Sequence, residues 1–214
     1  MKALLVANGD LDDVQFLNNE VLENQYDLIV CADGGVNKLI KLDIIPHLVM
    51  GDFDSIEQET YKFLVEYDIK LIRYPKEKDE TDTELVLNYL IENHYTDITM
   101  IGCLGSRIDH TLVNIYLLYK LLNNNICGRI INKNNLMYLI NDKTTFKNRI
   151  NETVSLIPLS DEVVGITTKG LYYPLKNASM KKNKPIGISN IIISEEAEVK
   201  IKKGELLIII SKDI

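Results

Sequence analysis

The sequence predicts an α/β domain, a doubly wound and mostly parallel sheet, followed by a small all-β antiparallel sandwich or barrel. Three observations carry that expectation. Up to residue 142, short apolar runs alternate with segments of helical period, the pattern of parallel strands covered on both faces. Beyond residue 150 no helix-length periodicity remains, and Gly165, Gly170, Pro174, Pro185, Gly187 and Gly204 punctuate short strand-like pieces. Five successive strands of the first part also run into polar Gly- or Asp-bearing clusters, and in open parallel sheets ligands sit beyond the carboxyl ends of the strands.

Taken in order, the strand candidates of the α/β part, residues 1–142, are Ala3–Ala7, Leu28–Ala32, Leu48–Gly51, Lys70–Tyr74, Ile98–Gly102, Gly128–Ile131 and Met137–Asn141. Thr83–Glu92 reads as a helix with Leu87, Leu90 and Ile91 on one face, and Ile108–Leu122 as another with Ile108, Leu112, Ile115, Leu118 and Leu122 inward. The polar stretch Asn141–Asn148 reads as a change of character between the two parts. In the all-β part, residues 150–214, the strand candidates are Val154–Pro158, Val163–Thr168, Ile186–Ile193, Glu198–Ile201 and Leu206–Ser211. About 60 residues form a marginal core alone, so this part is expected to lean on the first or on a second subunit.

An apolar content of 46% supports a packed core. The net charge of -7, with no basic tract, argues against a nucleic-acid reader. Cys31, Cys103 and Cys127 form no CxxC or Cys/His cluster and are odd in number, so they read as small buried hydrophobes rather than zinc ligands or a disulfide framework. Met1–Ala7 is too short for a signal segment, and no apolar run approaches the ~18 residues of a membrane span. The expectation is a cytoplasmic protein with no membrane or nucleic-acid partner.

The chemistry is carried by the strand exits. Gly51-Asp52-Phe53-Asp54-Ser55 places two carboxylates at i and i+2, which an extended chain puts on one side. Lys78-Asp79-Glu80-Thr81-Asp82 follows the next strand; Thr81 and Glu84 form a capping box, and a helix N-terminus beside Lys78 suits a phosphate. Gly102–Asp109 combines a glycine turn, Ser106 as a helix cap, and Arg107, whose guanidinium fork matches a phosphate. His110 reads as a packing or supporting histidine. No Walker A or dinucleotide-binding glycine motif occurs. Hard oxygen ligands of this kind suit Mg²⁺ held against a polyphosphate. Two carboxylates about 5 Å apart repel by about 3 kcal/mol at an effective dielectric near 20, so convergence of these acids calls for a cation.

Ala32-Asp33-Gly34-Gly35, Gly51-Asp52-Phe53-Asp54-Ser55, Lys78-Asp79-Glu80-Thr81-Asp82, the Gly102 to His110 run and Ile188-Ser189-Asn190 together resemble the thiamine pyrophosphokinase family. The resemblance spans nearly the whole chain. It departs at Ser106, where the family commonly has glycine, and at Ile191, where an acid is common. It implies transfer of a pyrophosphoryl group from ATP, the co-substrate, to thiamine in an Mg²⁺-dependent homodimer. By position it implies Asp52, Asp54, Asp82 and Asp109 as the metal site, with Asp54, Asp82 and Asp109 catalytic. Asp33, Ser55, Lys78, Thr81 and Arg107 then belong with the nucleotide, and Ser189 and Asn190 with thiamine. The residues alone leave open whether Asp54 or Asp109 acts on the attacking hydroxyl. They also leave open a hydroxymethyl pterin as acceptor, and a non-catalytic nucleotide-binding module.

Overall fold

The structure, a computed structural model, describes residues 1–11 and 13–212. The chain divides into two compact units, Met1–Lys133 and Asn134–Ile214.

In the first unit, β1 (Lys2–Val6), β2 (Leu28–Ala32), β3 (Leu48–Gly51), β4 (Lys70–Arg73), β5 (Asp97–Ile101) and β6 (Cys127–Ile131) pair in parallel in the order β6-β5-β1-β2-β3-β4. Their near-continuous apolar sequences are what strands covered on both faces require. The direction of winding reverses between β1 and β5, which opens a crevice at their carboxyl ends. The helices are α1 (Val14–Asn24), α2 (Val36–Ile40), α3 (Gln58–Glu66), α4 (Asp82–Glu92) and α5 (Ile108–Asn123). Asp13 caps α1, its side chain accepting from the N–H of Phe16. One core cluster joins Leu4, Val6, Ile29, Cys31 and Val49 of the sheet to Leu17, Leu39 and Leu64 of the helices. Each such burial contributes about 1.5–3 kcal/mol.

On α5 the buried face differs from the expected one. Asn114, Leu117, Leu118 and Leu121 are buried, whereas Ile108, Leu112 and Tyr116 are exposed. The sequence offers apolar residues on two faces of this helix, and periodicity alone does not choose between them. Cys31 and Cys103 are buried as expected, but Cys127, at the start of β6, is exposed.

The second unit carries β7 (Asn135–Ile140), β8 (Lys143–Lys147), β9 (Thr153–Pro158), β10 (Glu162–Lys169), β11 (Ala178–Lys181), β12 (Gly187–Ile191), β13 (Glu196–Lys200) and β14 (Leu206–Ser211). They pair antiparallel in the orders β12-β9-β14-β7 and β11-β10-β13-β8. Val154, Leu156, Ile208 and Ile210 of the first set share a buried cluster with Phe146, Val163, Ile166 and Val199 of the second, which makes a sandwich. The division between units falls before the expected 142–150 stretch because β7 pairs with β14 along its whole length. The polar stretch after Asn141 is not a linker: it forms β8, which pairs with β13 and turns Phe146 into the core. Among the described residues no helix is long and apolar enough to cross a membrane.

Candidate active site

β3 ends at Gly51, whose φ is +152°; a Cβ there would meet the Asp33 Cβ at 2.9 Å. Glycine therefore lets the chain press against the residue that follows β2. The two carboxylates of the Asp52–Asp54 segment are brought together by a turn, not by the expected extended spacing. Phe53 adopts a left-handed conformation, φ 70°, and the Asp54 N–H donates to Asp52 Oδ1 at 3.0 Å. The Phe53 ring packs against the core cluster. Asp33 is also left-handed, φ 43°, and opens a single 3-10 turn, Asp33–Gly35. Strained non-glycine residues at two adjoining strand exits are characteristic of functional sites.

Asp33, Asp52 and Asp54 each place a carboxylate oxygen within 4.8 Å of the others. Asp33 is buried, and its Oδ1 has no hydrogen-bond partner. Burial raises its pKa above the ordinary carboxylate value, and the charges of Asp82 and Asp52 add to the rise; hydrogen bonds from Ser55 and the Gly34 backbone oppose it. Asp54 is shifted the other way, chiefly by its hydrogen bond from Lys76, whose Nζ lies 2.6 Å from Oδ2. A buried acid with an orphaned oxygen, in oxygen contact range of two others, fits a hard divalent cation.

A cavity of about 670 Å³ lies beside these acids, within the first unit. Ala7–Asp10 and Gly102–Arg107, the exits of β1 and β5, form one wall. These exits are stitched together: the Gly9 N–H donates to Gly102 O at 2.6 Å, and a Cβ on Gly9 would meet two carbonyl oxygens at 2.4 Å. Asp33, Asp52, Ser55, Lys76, Lys78 and Thr81–Thr83 line the other side. Thr81 caps α4, its hydroxyl accepting from Glu84 N–H at 3.2 Å. The second half of the expected capping box is not made, because the Glu84 carboxylate pairs with Lys120 on α5. At α5 the cap position is held by Arg107 without a side-chain bond, not by Ser106. Thr111 steadies the preceding loop, its hydroxyl accepting from Gly105 N–H.

The structure thus gathers Asp33, Asp52, Ser55, Lys78, Thr81, Asp82 and Arg107 on one cavity. Asp54 adjoins it through the carboxylate trio. Asp82 is held by Lys78 at 3.0 Å, an ion pair off the hydrogen-bond axis, so Asp82 Oδ1 has no hydrogen-bond partner. Asp109 lies outside the trio and off the cavity wall. Its carboxylate grips Arg107 at 2.5 Å, which lowers its pKa to about 2. His110 is exposed on the cavity wall rather than packed into the helix. Lys76 escaped the sequence reading, although its position two residues before Lys78 was a usable signal. Three cations and the N-termini of α4 and α5 around one crevice suit a polyanion.

In the second unit Asn190 is buried and its amide is committed. Oδ1 accepts from the N–H groups of Tyr173 and Ile191, and Nδ2 donates to Tyr173 O at 2.7 Å. Ser189 is exposed, left-handed at φ 55°, and its N–H donates to Ser155 Oγ. Beside this strand Tyr172 and Tyr173 are both exposed and meet edge to face, with centroids 4.8 Å apart.

Two family models match the chain. "Thiamin pyrophosphokinase, catalytic domain" covers residues 19–128 and "Thiamin pyrophosphokinase, vitamin B1 binding domain" covers residues 141–206. The thiamine pyrophosphokinase of Bacillus subtilis is 33% identical over 192 residues, 89% of this chain and 90% of that protein. Thiamine pyrophosphokinase 1 of Oryza sativa is 27% identical, over 85% of this chain and 77% of its own length. The crystal structure of the Bacillus subtilis thiamine pyrophosphokinase superposes with a TM-score of 0.91 at 31% identity, covering all of both chains. That of the Geobacillus thermodenitrificans thiamin pyrophosphokinase superposes with a TM-score of 0.86 at 26% identity, covering 100% of this chain and 98% of the other.

Proposed function

The chain belongs to the thiamine pyrophosphokinase family, and from that premise we propose that its acidic crevice transfers the pyrophosphoryl group of ATP to the hydroxyethyl oxygen of thiamine, releasing AMP. The observation that carries this reading is the carboxylate trio Asp33, Asp52 and Asp54 beside a cavity edged by Lys76, Lys78 and Arg107. Pyrophosphoryl transfer needs in-line positioning and neutralisation of spreading negative charge more than covalent chemistry. The match of the vitamin B1 binding model to residues 141–206 favours thiamine over a pterin as acceptor.

Mg²⁺ would be held by Asp52 and Asp54 together with Asp33, and would supply charge neutralisation to the polyphosphate. Asp82 holds Lys78 toward the phosphates at the capped N-terminus of α4. Asp109 pairs with Arg107 outside the acidic trio. We therefore assign it to orienting Arg107, and assign Asp54 to orienting the attacking hydroxyl. Ser189 is the thiamine-facing hydroxyl, and Asn190 fixes the Tyr172–Tyr173 segment next to it. The exposed Tyr172, Tyr173, Ile186, Ile188, Ile191 and Ile193 of the second unit form the apolar surface of a homodimer. The free cysteines accord with work in a reducing cytoplasm.

Purified protein given ATP, Mg²⁺ and thiamine should form AMP and thiamine diphosphate in equal amounts. ADP as the main nucleotide product would make the protein an ordinary kinase and overturn the reading. Light scattering should give a species of twice the 24.4 kDa chain mass; an active monomer would remove the homodimer.

A further inference from the structure

Lys76 and Lys78 stand two residues apart and differ in every physical respect. Lys78 is nearly buried, with 12% of its side chain exposed. It is fixed from two directions, donating to Pro75 O at 3.2 Å and pairing with Asp82. Lys76 is 76% exposed, lines the same cavity and, among the described residues, forms an ion pair with Asp54 at 2.6 Å. Its partner is one of the three acids whose oxygens converge. An exposed ion pair of this kind is weak and readily remade. It still occupies a carboxylate that a divalent cation would need.

We propose that Lys76 is an exchangeable cation of the nucleotide site: it neutralises Asp54 before nucleotide binds, and moves to a phosphate oxygen of ATP when Asp54 is given over to the metal. This rests on reading the cavity as a metal–nucleotide site. No bond is made or broken; one ion pair is replaced by two. The swap resolves a conflict within the crevice. Three uncompensated carboxylates at this separation would repel one another and the incoming triphosphate, while a permanently bound lysine would compete with the metal. A lysine on a flexible four-carbon stem serves both states.

The test is Mn²⁺ binding by calorimetry, with and without a non-hydrolysable ATP analogue, on wild-type and Lys76→Met proteins, together with steady-state kinetics. Without nucleotide the Lys76→Met protein should bind Mn²⁺ about two- to fivefold more tightly, the size of effect an exposed ion pair supports. Its KM for ATP should rise about three- to tenfold, as loss of one exposed charge-assisted hydrogen bond implies, with KM for thiamine unchanged. Lys76→Arg should keep both wild-type values. Mn²⁺ binding that is unchanged or weaker in Lys76→Met would overturn the proposal, and so would tighter Mn²⁺ binding with an unaltered KM for ATP. Failure of the underlying site reading looks different: wild-type protein would then bind Mn²⁺ no better than Asp54→Asn.

Discussion

Asp33→Asn should stabilise the protein while greatly weakening its response to Mg²⁺. At the 4.8 Å that bounds the oxygen separations in the trio, two full charges at an effective dielectric of 20 repel by about 3 kcal/mol. Asp54 is compensated by Lys76 and Asp82 by Lys78, so the repulsion that matters is with Asp52. Partial exposure screens it, which leaves about 1–2 kcal/mol. For a chain of this size that is a rise of about 2–8 °C in melting temperature. Asparagine tolerates the left-handed backbone at this position, so no new strain opposes the gain. The sign with pH follows from the direction of the shift. A raised carboxyl pKa means that the folded protein binds the proton more tightly than the unfolded chain does. The charge therefore costs stability above the raised value, and the cost vanishes as pH falls to the ordinary carboxylate range. Melts followed by circular dichroism in EDTA should show the advantage of Asp33→Asn at neutral pH, shrinking on acidification. Added Mg²⁺ should stabilise the wild type, by about 2.7 kcal/mol at a hundredfold excess over Kd, and the variant far less. An equal Mg²⁺ shift in both proteins, or a lower melting temperature for Asp33→Asn in EDTA, would refute the reasoning.

Three further outcomes follow from the same geometry. Asp54→Asn should remove most turnover with little change in melting temperature, because the repulsion it relieves is offset by the lost Lys76 pair; near-normal turnover would remove Asp54 from the site. Gly51→Ala should drive Asp33 out of place, since the new Cβ would sit 2.9 Å from the Asp33 Cβ, and metal affinity measured by calorimetry should fall even in protein that folds. Asn190→Ala should cost about 1–3 kcal/mol in urea unfolding, because the buried Asn190 amide holds Tyr173 N–H and O and Ile191 N–H through three hydrogen bonds that alanine cannot make, whereas Ser189→Ala should leave stability alone and raise KM for thiamine more than it lowers kcat.

The α/β half was legible because buried parallel strands are written as short apolar runs, and Leu28–Ala32 and Leu48–Gly51 fall where the sequence places them. Of the edge strands, β4 and β12 were legible and β8 and β11 were not. β8 buries one residue of its five, Phe146, so its composition is that of a loop, and only its pairing with β13 makes it a strand. The site was legible as a set of strand exits, since β-α order and acidic turn residues are local signals. Which acids meet was not, because that depends on backbone conformation. The left-handed Phe53 folds Asp54 back toward Asp52, and the close approach at Gly51 admits Asp33 to the group, while Asp109 is drawn off by Arg107, two residues away. Asn190 shows the same limit from the other side: a polar side chain in a suggestive motif is spent on the backbone of Tyr173.

The ion pairs explain how a chain of net charge -7 can be built to receive a triphosphate. Of Asp33, Asp52, Asp54, Asp82 and Asp109, three carry their own cation: Lys76 on Asp54, Lys78 on Asp82 and Arg107 on Asp109. Asp33 and Asp52 have no ion-pair partner among the described residues. Their two charges match one divalent ion, and the three cations face the cavity that the phosphates would fill. The uncompensated charge of these five aspartates is thus that of Asp33 and Asp52, which a divalent ion would offset before the phosphates meet the three cations. Metal alone would leave Lys76 without its anion, and nucleotide alone would leave Asp33 and Asp52 uncompensated against it. Binding of the two should therefore be cooperative, and the cooperativity should diminish when the Lys76–Asp54 pair is removed.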